Sequence, residues 1–226
     1  MSSAPPVPRW LWRIAIWGLG AAFLGVAALA TALFFGLADP PRAGPLLWQE
    51  DFKADLDRWQ FVTTGGATLA LQDGVLAATF TAPDQLAFAV TEAPPGNFTL
   101  EVAAAQTAGE SGSVRYGLMF DWQDETSYSA VLVNGNGYAE AYRQAGAVRA
   151  EWFPFAQWPH LLYGMEANRV RVDVRDANLS VRINDELLLE REVTGRSAAK
   201  LGVLARSVGP GRAVFGWVTV WAALNR

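Results

Sequence analysis

The amino-acid sequence predicts an all-β antiparallel sandwich of one domain, preceded by a single transmembrane α-helix. Three observations lead there. An apolar run of 25 residues, Ile14 to Ala38, carries no charge. Beyond it come short stretches in which apolar and polar residues alternate, separated by Gly, Asn and Asp clusters. Nothing in that region keeps the apolar period of a long amphipathic helix. The 179 residues from Trp48 to Arg226 fit one β-sandwich and suffice for one substantial core.

The first element is the helix. At about 1.5 Å of rise per residue, positions 14–38 reach roughly 37 Å, enough to cross a hydrocarbon core of about 30 Å with some tilt. Arg9 and Arg13 precede the run, Trp10, Trp12 and Trp17 suit the headgroup level, and Asp39 and Arg42 follow it. This pattern predicts a cytoplasmic N-terminus of residues 1–13 and an exterior C-terminal part, periplasmic or extracellular. A cleaved secretory signal is the rival, because Gly36-Leu37-Ala38 resembles a small-residue cleavage site. The apolar run exceeds the ~7–15 residues of a signal core, which favours an uncleaved anchor. Gly18, Ala21, Gly25, Ala28, Ala32 and Gly36 recur at spacings of three and four and so share one stripe, where a second helix approaches closely. Ala and Gly are also simply common in membrane helices.

Residues 39–47 (DPPRAGPLL) contain three prolines and read as a short, semi-extended spacer to a domain of residues 48–226. All 22 acidic residues follow residue 38, whereas Arg9 and Arg13 precede it, so the exterior part carries about −6 against −4 for the whole chain. Such a balance argues against nucleic acid as a partner and against adhesion to anionic lipid by charge. With no cysteine and one histidine, the chain has no disulfide, thiol chemistry or site needing two histidines.

Within the exterior part, three hairpins stand out. Ala67–Leu71 and Val75–Phe80 flank an Asp73-Gly74 turn; Tyr128–Val133 and Tyr138–Tyr142 flank Asn134-Gly-Asn-Gly137; Val170–Val174 and Leu179–Ile183 flank Asp176–Asn178. Meandering antiparallel pairs of this kind build a sandwich with one face of each sheet on the core.

Several segments together carry a family resemblance: Glu50-Asp51-Phe52 with Trp59 and Asp73-Gly74, Tyr116-Gly-Leu-Met-Phe120 through Tyr128, Asn168-Arg169-Val170, Val181-Arg-Ile-Asn184, and Leu201-Gly-Val-Leu-Ala205 before the closing strand. In order and spacing the region from about Leu47 to Ala222 resembles bacterial concanavalin A-like (laminin-G-like) jelly rolls. The resemblance implies a jelly-roll β-sandwich. It leaves function open, because this architecture hosts lectins, glycosidases, keto-sugar hydrolases and structural domains.

Catalytic chemistry finds little support. A retaining glycosidase needs two carboxyl groups about 5–5.5 Å apart. The nearest pattern, Asp121-Trp-Gln-Asp124-Glu125, has Gln123 at its middle and falls where the resemblance places a polar turn, so solvated loop carboxylates are expected. Glu190 and Glu192 share a face with Arg191 and Arg196 close by, an ordinary surface pairing. His160 has no carboxylate near it in sequence to orient its ring. No EF-hand loop occurs, and Asn134–Gly137 is accounted for by turn geometry. No cofactor, metal or catalytic residue is predicted.

Two aromatic features depart from the resemblance. Where related domains carry a polar turn, Trp152-Phe153-Pro154-Phe155-Ala-Gln-Trp158-Pro159-His160-Leu-Leu-Tyr163 presents large apolar side chains. Two prolines argue against a regular central strand, leaving a loop that displays Trp152, Phe153, Phe155, Trp158, His160 and Tyr163 to a partner or folds back as a plug over the core. In the closing strand, alternation puts Phe215, Trp217, Thr219 and Trp221 on one face and Val214, Val218 and Val220 on the other. Trp217 and Trp221, with Trp122, are candidates for stacking against sugar rings.

These features combine into a non-catalytic, membrane-anchored interaction module. It contacts the bilayer through 14–38 and serves as an accessory or scaffold subunit among other membrane-complex subunits. The alternative is a membrane-tethered, lectin-like glycan-binding module. A keto-sugar or glycoside hydrolase is permitted by the architecture and discouraged by the missing carboxylate pair.

Overall fold

The computed structural model describes residues 8–34, 43–53, 56–194 and 200–224. The chain divides into two compact units, Met1–Arg42 and Ala43–Arg226. In the first, helix α1 (Arg9–Phe34) begins directly after Pro8 and so takes in Arg9 to Arg13, N-terminal to the uncharged run. A span apolar enough to cross a membrane runs from Trp10 to Leu33. Gly18, Ala21, Gly25, Ala28 and Ala32 lie on this helix; Gly36 lies outside the described residues.

The second unit consists of strands. In chain order they are β1 (Leu46–Glu50), β2 (Gln60–Thr63), β3 (Thr68–Gln72), β4 (Val75–Phe80), β5 (Leu86–Glu92), β6 (Phe98–Gly109), β7 (Val114–Asp124) and β8 (Ser127–Asn134). They continue as β9 (Tyr138–Ala145), β10 (Val148–Gln157), β11 (Asn168–Arg175), β12 (Asn178–Ile183), β13 (Glu186–Glu192), β14 (Lys200–Ser207) and β15 (Gly211–Ala222). β1 starts at Leu46, inside the stretch read as spacer (39–47), because Leu46 already pairs with Trp221.

The first sheet runs β13-β12-β11-β6-β15-β4-β3, with β1 also on β15; the second runs β10-β9-β8-β7-β14-β5-β2. Among the described residues every pairing is antiparallel, and the sequence-distant strands β14 and β15 lie inside the two sheets, next to β7 and β6, as a jelly roll requires. The three predicted hairpins are present as β3/β4, β8/β9 and β11/β12. The turn of the first holds Asp73 and Gly74 at φ 55° and 76°, the left-handed conformation that an Asp-Gly pair supplies. In the second hairpin the Asn134 side-chain oxygen accepts hydrogen bonds from the backbone N–H of Asn136 and Tyr138, so the turn uses the acceptor a cation would need.

Between the sheets, alternate residues of each strand form one core. It includes Phe98, Leu100 and Val102 of β6, Tyr116, Leu118 and Phe120 of β7, and Val170, Val172 and Val174 of β11, all essentially inaccessible. The closing strand departs from simple alternation. A bulge between Phe215 and Trp217 resets the phase, so Phe215 joins Val218 and Val220 in the core while Val214 does not. The predicted face of Phe215, Trp217, Thr219 and Trp221 is thereby corrected: the last three point outward together, without Phe215.

A second correction concerns the aromatic segment. Residues 148–157 are not a loop but β10, the edge strand of the second sheet, with register shifts on both sides of Phe153. Pro154 is tolerated because an edge strand needs no ladder donor on its open side and the bulges absorb its fixed φ.

Candidate functional site

The outward face of the second sheet is built like a second interior. Registered partners share a face, so Phe88 and Val90 of β5, Leu204 of β14, Met119 of β7 and Ala130 and Leu132 of β8 lie side by side there, all buried. Gly117 and Gly202 sit among them: a β-carbon would come within 2.2 Å of the Val131 carbonyl oxygen at the first and 1.9 Å of the Ala89 carbonyl oxygen at the second. Only glycine lets the central strands approach this closely.

Toward β9 and β10 the same face turns aromatic and charged. Glu140, 1% exposed, is gripped from both sides: Arg115 Nη1 donates to both carboxylate oxygens at 3.2 Å, and Arg149 Nη2 donates to Oε2. Each guanidinium also lies over a ring, Arg149 at 3.7 Å from the centre of Tyr142 and Arg115 at 3.9 Å from that of Phe155. Phe155 in turn stacks on Tyr138, with ring centres 5.0 Å apart and planes 21° from parallel. Tyr142 packs edge-on against Tyr128, and burial pushes its phenol well above the usual range. Tyr138 and Phe155 are both more than a third exposed. The result is a row of stacked groups, Tyr142, Arg149, Glu140, Arg115, Phe155 and Tyr138, that is dry at one end and open to solvent at the other.

The structure separates residues the sequence grouped. Trp152 packs on Phe120, and Phe153 on Trp158; all three of Trp152, Phe153 and Trp158 lie against the main core, which is the plug arrangement. Phe155, His160 and Tyr163 are exposed. The His160 ring sits beside Trp158 and its carbonyl accepts a hydrogen bond from Asn184, an anchoring role. Trp122 belongs to the outward face of the second sheet, tilted against Phe88, with Lys200 above it; it is nearly buried and its indole N–H has no hydrogen-bond acceptor among the described residues. Asp121 is not a solvated loop carboxylate: it is 5% exposed at a positive-φ irregularity of β7, whereas Asp124 and Glu125 are exposed.

Trp217 and Trp221 lie on the opposite side of the sandwich from Trp122, so the three indoles are not one platform. They flank Thr219 on the outward face of the first sheet, in register with Ala103, Glu101 and Thr99 of β6 and, through these, with Arg169, Arg171 and Asp173 of β11. There Arg171 grips Asp173 through both its Nε (2.9 Å) and Nη2 (2.8 Å), Thr99 donates to the same carboxylate at 2.6 Å, and Arg169 reaches Glu101 at 3.7 Å. Burial holds the Glu101 carboxyl above its usual range, against the pull of Arg171 and Arg169. These polar groups satisfy one another and, Arg169 apart, are nearly inaccessible. Among the described residues no three His, Asp or Glu side chains gather into a metal-ligating group.

What sequence reasoning missed is the Arg115–Glu140–Arg149 grip and its rings. The alternation in Tyr138-Ala-Glu140-Ala-Tyr142 does put these three side chains on one face, but the arginines come from β7 and β10.

The two-sheet jelly roll defines the class: a concanavalin-like or galectin-like β-sandwich. Residues 47–209 match the 3-keto-alpha-glucoside-1,2-lyase-like domain family, and the chain belongs to that family. Among solved structures it is similar to the carbohydrate-binding module CBM66 from Bacillus subtilis, at 16% identity and TM-score 0.58 over 73% of this chain and 96% of that one. A Bacillus subtilis protein of unknown function with a galectin-like fold matches at 13% identity and TM-score 0.58, over 82% of this chain and 99% of that one. The GH43 protein BlXynB of Bacillus licheniformis matches at 11% identity and TM-score 0.56; 77% of this chain is covered but 39% of that one. No curated protein matches the chain. At these identities the likenesses establish the fold, one that carbohydrate-binding modules and glycoside hydrolases share.

Proposed function

We propose that this protein is a non-catalytic saccharide-binding module held at a membrane by α1. The observation that carries the reading is the exposed Tyr138–Phe155 stack set beside Arg115 and Arg149. Saccharide rings present a C–H face to an aromatic ring and hydroxyls to flanking donors and acceptors, and this row offers both within one surface. The fold shared with CBM66 supports the class. Absence of turnover is part of the proposal: Glu140 is 1% exposed with both oxygens engaged by arginines, so it is not placed to take a proton from a bound saccharide. The family's description makes lyase action on a 3-keto-glucoside the competing outcome.

The test is a titration of the full chain, in mild detergent, against a panel of oligosaccharides, with product analysis after long incubation. Saturable binding that Phe155→Ala and Tyr138→Ala each weaken about tenfold, roughly 1.4 kcal/mol, supports the reading. No binding, or cleavage of a 3-keto-glucoside, overturns it. Resistance of the chain to alkaline extraction supports the anchor; a mature N-terminus at Asp39 replaces it with a cleaved leader.

A second reading, an accessory subunit of a membrane complex, draws on the exposed Leu162, Tyr163 and Met165 that continue from β10. A stoichiometric membrane partner lost in Gly25→Leu supports it.

A further inference from the structure

The charge of the same face narrows the ligand. Arg206 of β14 is in register with Arg115 of β7, so the two arginine side chains rise from neighbouring points of one face, with the Arg115 head drawn toward Glu140 and Phe155. Arg115 is tied to Glu140; Arg206 is half-buried and has no hydrogen-bond or ion-pair partner among the described residues. Across the row, Arg149 adds a third guanidinium. The negative groups on the same face are Glu140, which is buried beneath the arginines, and Glu151, 4.0 Å from Arg149 at the open edge. The remaining pair, Lys200 and Glu92, lies at the far end and cancels. Three cations therefore face two anions on a domain that is otherwise strongly acidic, and the uncancelled charge is that of Arg206, on the strand beside Arg115.

The bonds to Glu140 do not exhaust these side chains. Arg115 uses Nη1 and Arg149 uses Nη2, which leaves Arg115 Nη2, Arg149 Nη1 and the head of Arg206 with no acceptor in the protein among the described residues. Guanidinium pairs grip planar carboxylates in a two-pronged fashion that hydroxyls do not match.

We propose that this face selects acidic saccharides, with a sugar ring against Phe155 and Tyr138 and its carboxylate between Arg115 and Arg206. The inference rests on the saccharide-binding reading above and deepens it. An anion reached by both side chains offsets the Arg206 charge, which no carboxylate on this face cancels, and Glu140 keeps Arg115 along the Phe155 ring with Nη2 free.

The test compares short oligogalacturonates with neutral xylo-oligosaccharides of equal length, titrated calorimetrically into the full chain in a neutral detergent. Arg206→Gln is the informative variant, because that side chain makes no hydrogen bond or ion pair among the described residues and the amide keeps most of its length. The expected result is at least a tenfold preference for the acidic ligand at low salt, reduced to near parity by Arg206→Gln and by about 0.5 M NaCl. Equal or better binding of the neutral ligand overturns the acidic assignment while leaving saccharide binding standing. Failure of both ligands, with the wider panel also negative, overturns the saccharide reading itself. A preference untouched by Arg206→Gln refutes the placement of the carboxylate. Tighter binding of a sulfated neutral backbone than of the uronate shifts the anion from carboxylate to sulfate and overturns the two-pronged geometry. Equal binding to phosphatidylglycerol vesicles by wild type, lost in Arg206→Gln, assigns the patch to lipid instead.

Discussion

Replacing Glu140 by Gln should destabilise the exterior domain well beyond an ordinary surface change. The carboxylate is 1% exposed and holds two guanidiniums whose side chains are 21% and 27% exposed. Removing one member of a fully buried ion pair costs about 3–5 kcal/mol, because an uncompensated charge stays behind. Here the orphaned arginines reach water over roughly a quarter of their surface and recover part of their hydration, and the amide keeps one acceptor oxygen. Both corrections lower the expected cost to about 2–3 kcal/mol. For a domain of this size about 2–4 °C of melting temperature accompanies each kcal/mol, so the midpoint should fall by about 4–12 °C. The assay is thermal unfolding of the full chain in detergent, followed by tryptophan fluorescence and near-ultraviolet circular dichroism. A double-mutant cycle with Arg115→Met isolates the coupling, since the two sites share a partner and should not be additive. A loss below about 0.5 kcal/mol for Glu140→Gln would show that the row is a hydrated surface network in which the Glu140–Arg149 pair does not hold β10 to β9.

Gly202→Ala should cost about 3 kcal/mol or more, or abolish folding, because its β-carbon meets a backbone oxygen that no rotamer change can move; a variant that melts within 2 °C of wild type refutes the close-approach account. Trp152→Ser and Trp158→Ser should each lower stability by about 2 kcal/mol, as half-buried indoles packed on the core, whereas Tyr163→Ser should change it by less than about 0.5 kcal/mol; chemical denaturation of the three variants separates plug from display. Glu101 gives a pH test. Burial raises its folded-state value, so the folded chain holds the proton more tightly than the unfolded one, and the stability this group contributes is present below the unfolded value near ~4.3 and declines as pH rises through the folded one. Glu101→Gln should remove that decline, so the variant gains on wild type as pH is raised from about 4 to 7; parallel stability curves would show that Glu101 ionises as freely in the fold as out of it.

The hairpins were legible because each carries its own turn chemistry. Asp73-Gly74 specifies a left-handed turn locally, Asn134 to Gly137 one held by the Asn134 side chain with Gly137 at positive φ, and the alternation on either side then fixes which side chains face inward. The errors fall where one inserted residue outweighs the pattern. In β15 the bulge at Gly216 turns Phe215 inward and leaves Trp217 outward; an isolated glycine in a strand is the signal for such a bulge, and strict alternation across it gives the wrong face for Phe215. In β10, Pro154 is incompatible with a central strand, but an edge strand obeys a weaker rule, and which strand lies at the edge is decided by pairings far away in sequence.

The candidate site was illegible for a related reason, and the reason constrains how it works. Tyr138, Phe155 and Arg115 come from three strands, and what unites them is the register of β7, β8 and β9 together with the bulges that carry Phe155 to the outward side. A ligand-binding row assembled this way depends on an irregular edge strand staying in one register. The Arg149 bridge over Tyr142 to Glu140 links β10 to the strand next to it, so the ion network and the aromatic stack stabilise the same geometry. It follows that Glu140→Gln should weaken saccharide binding even though the carboxylate is inaccessible to any ligand: with the link gone, β10 samples other registers and Phe155 leaves Tyr138. The loss should appear in affinity at a temperature well below the melting midpoint, and faster amide exchange confined to β10 should accompany it. Unchanged affinity in a variant that has lost its predicted stability would separate the two roles and place the ligand away from this edge.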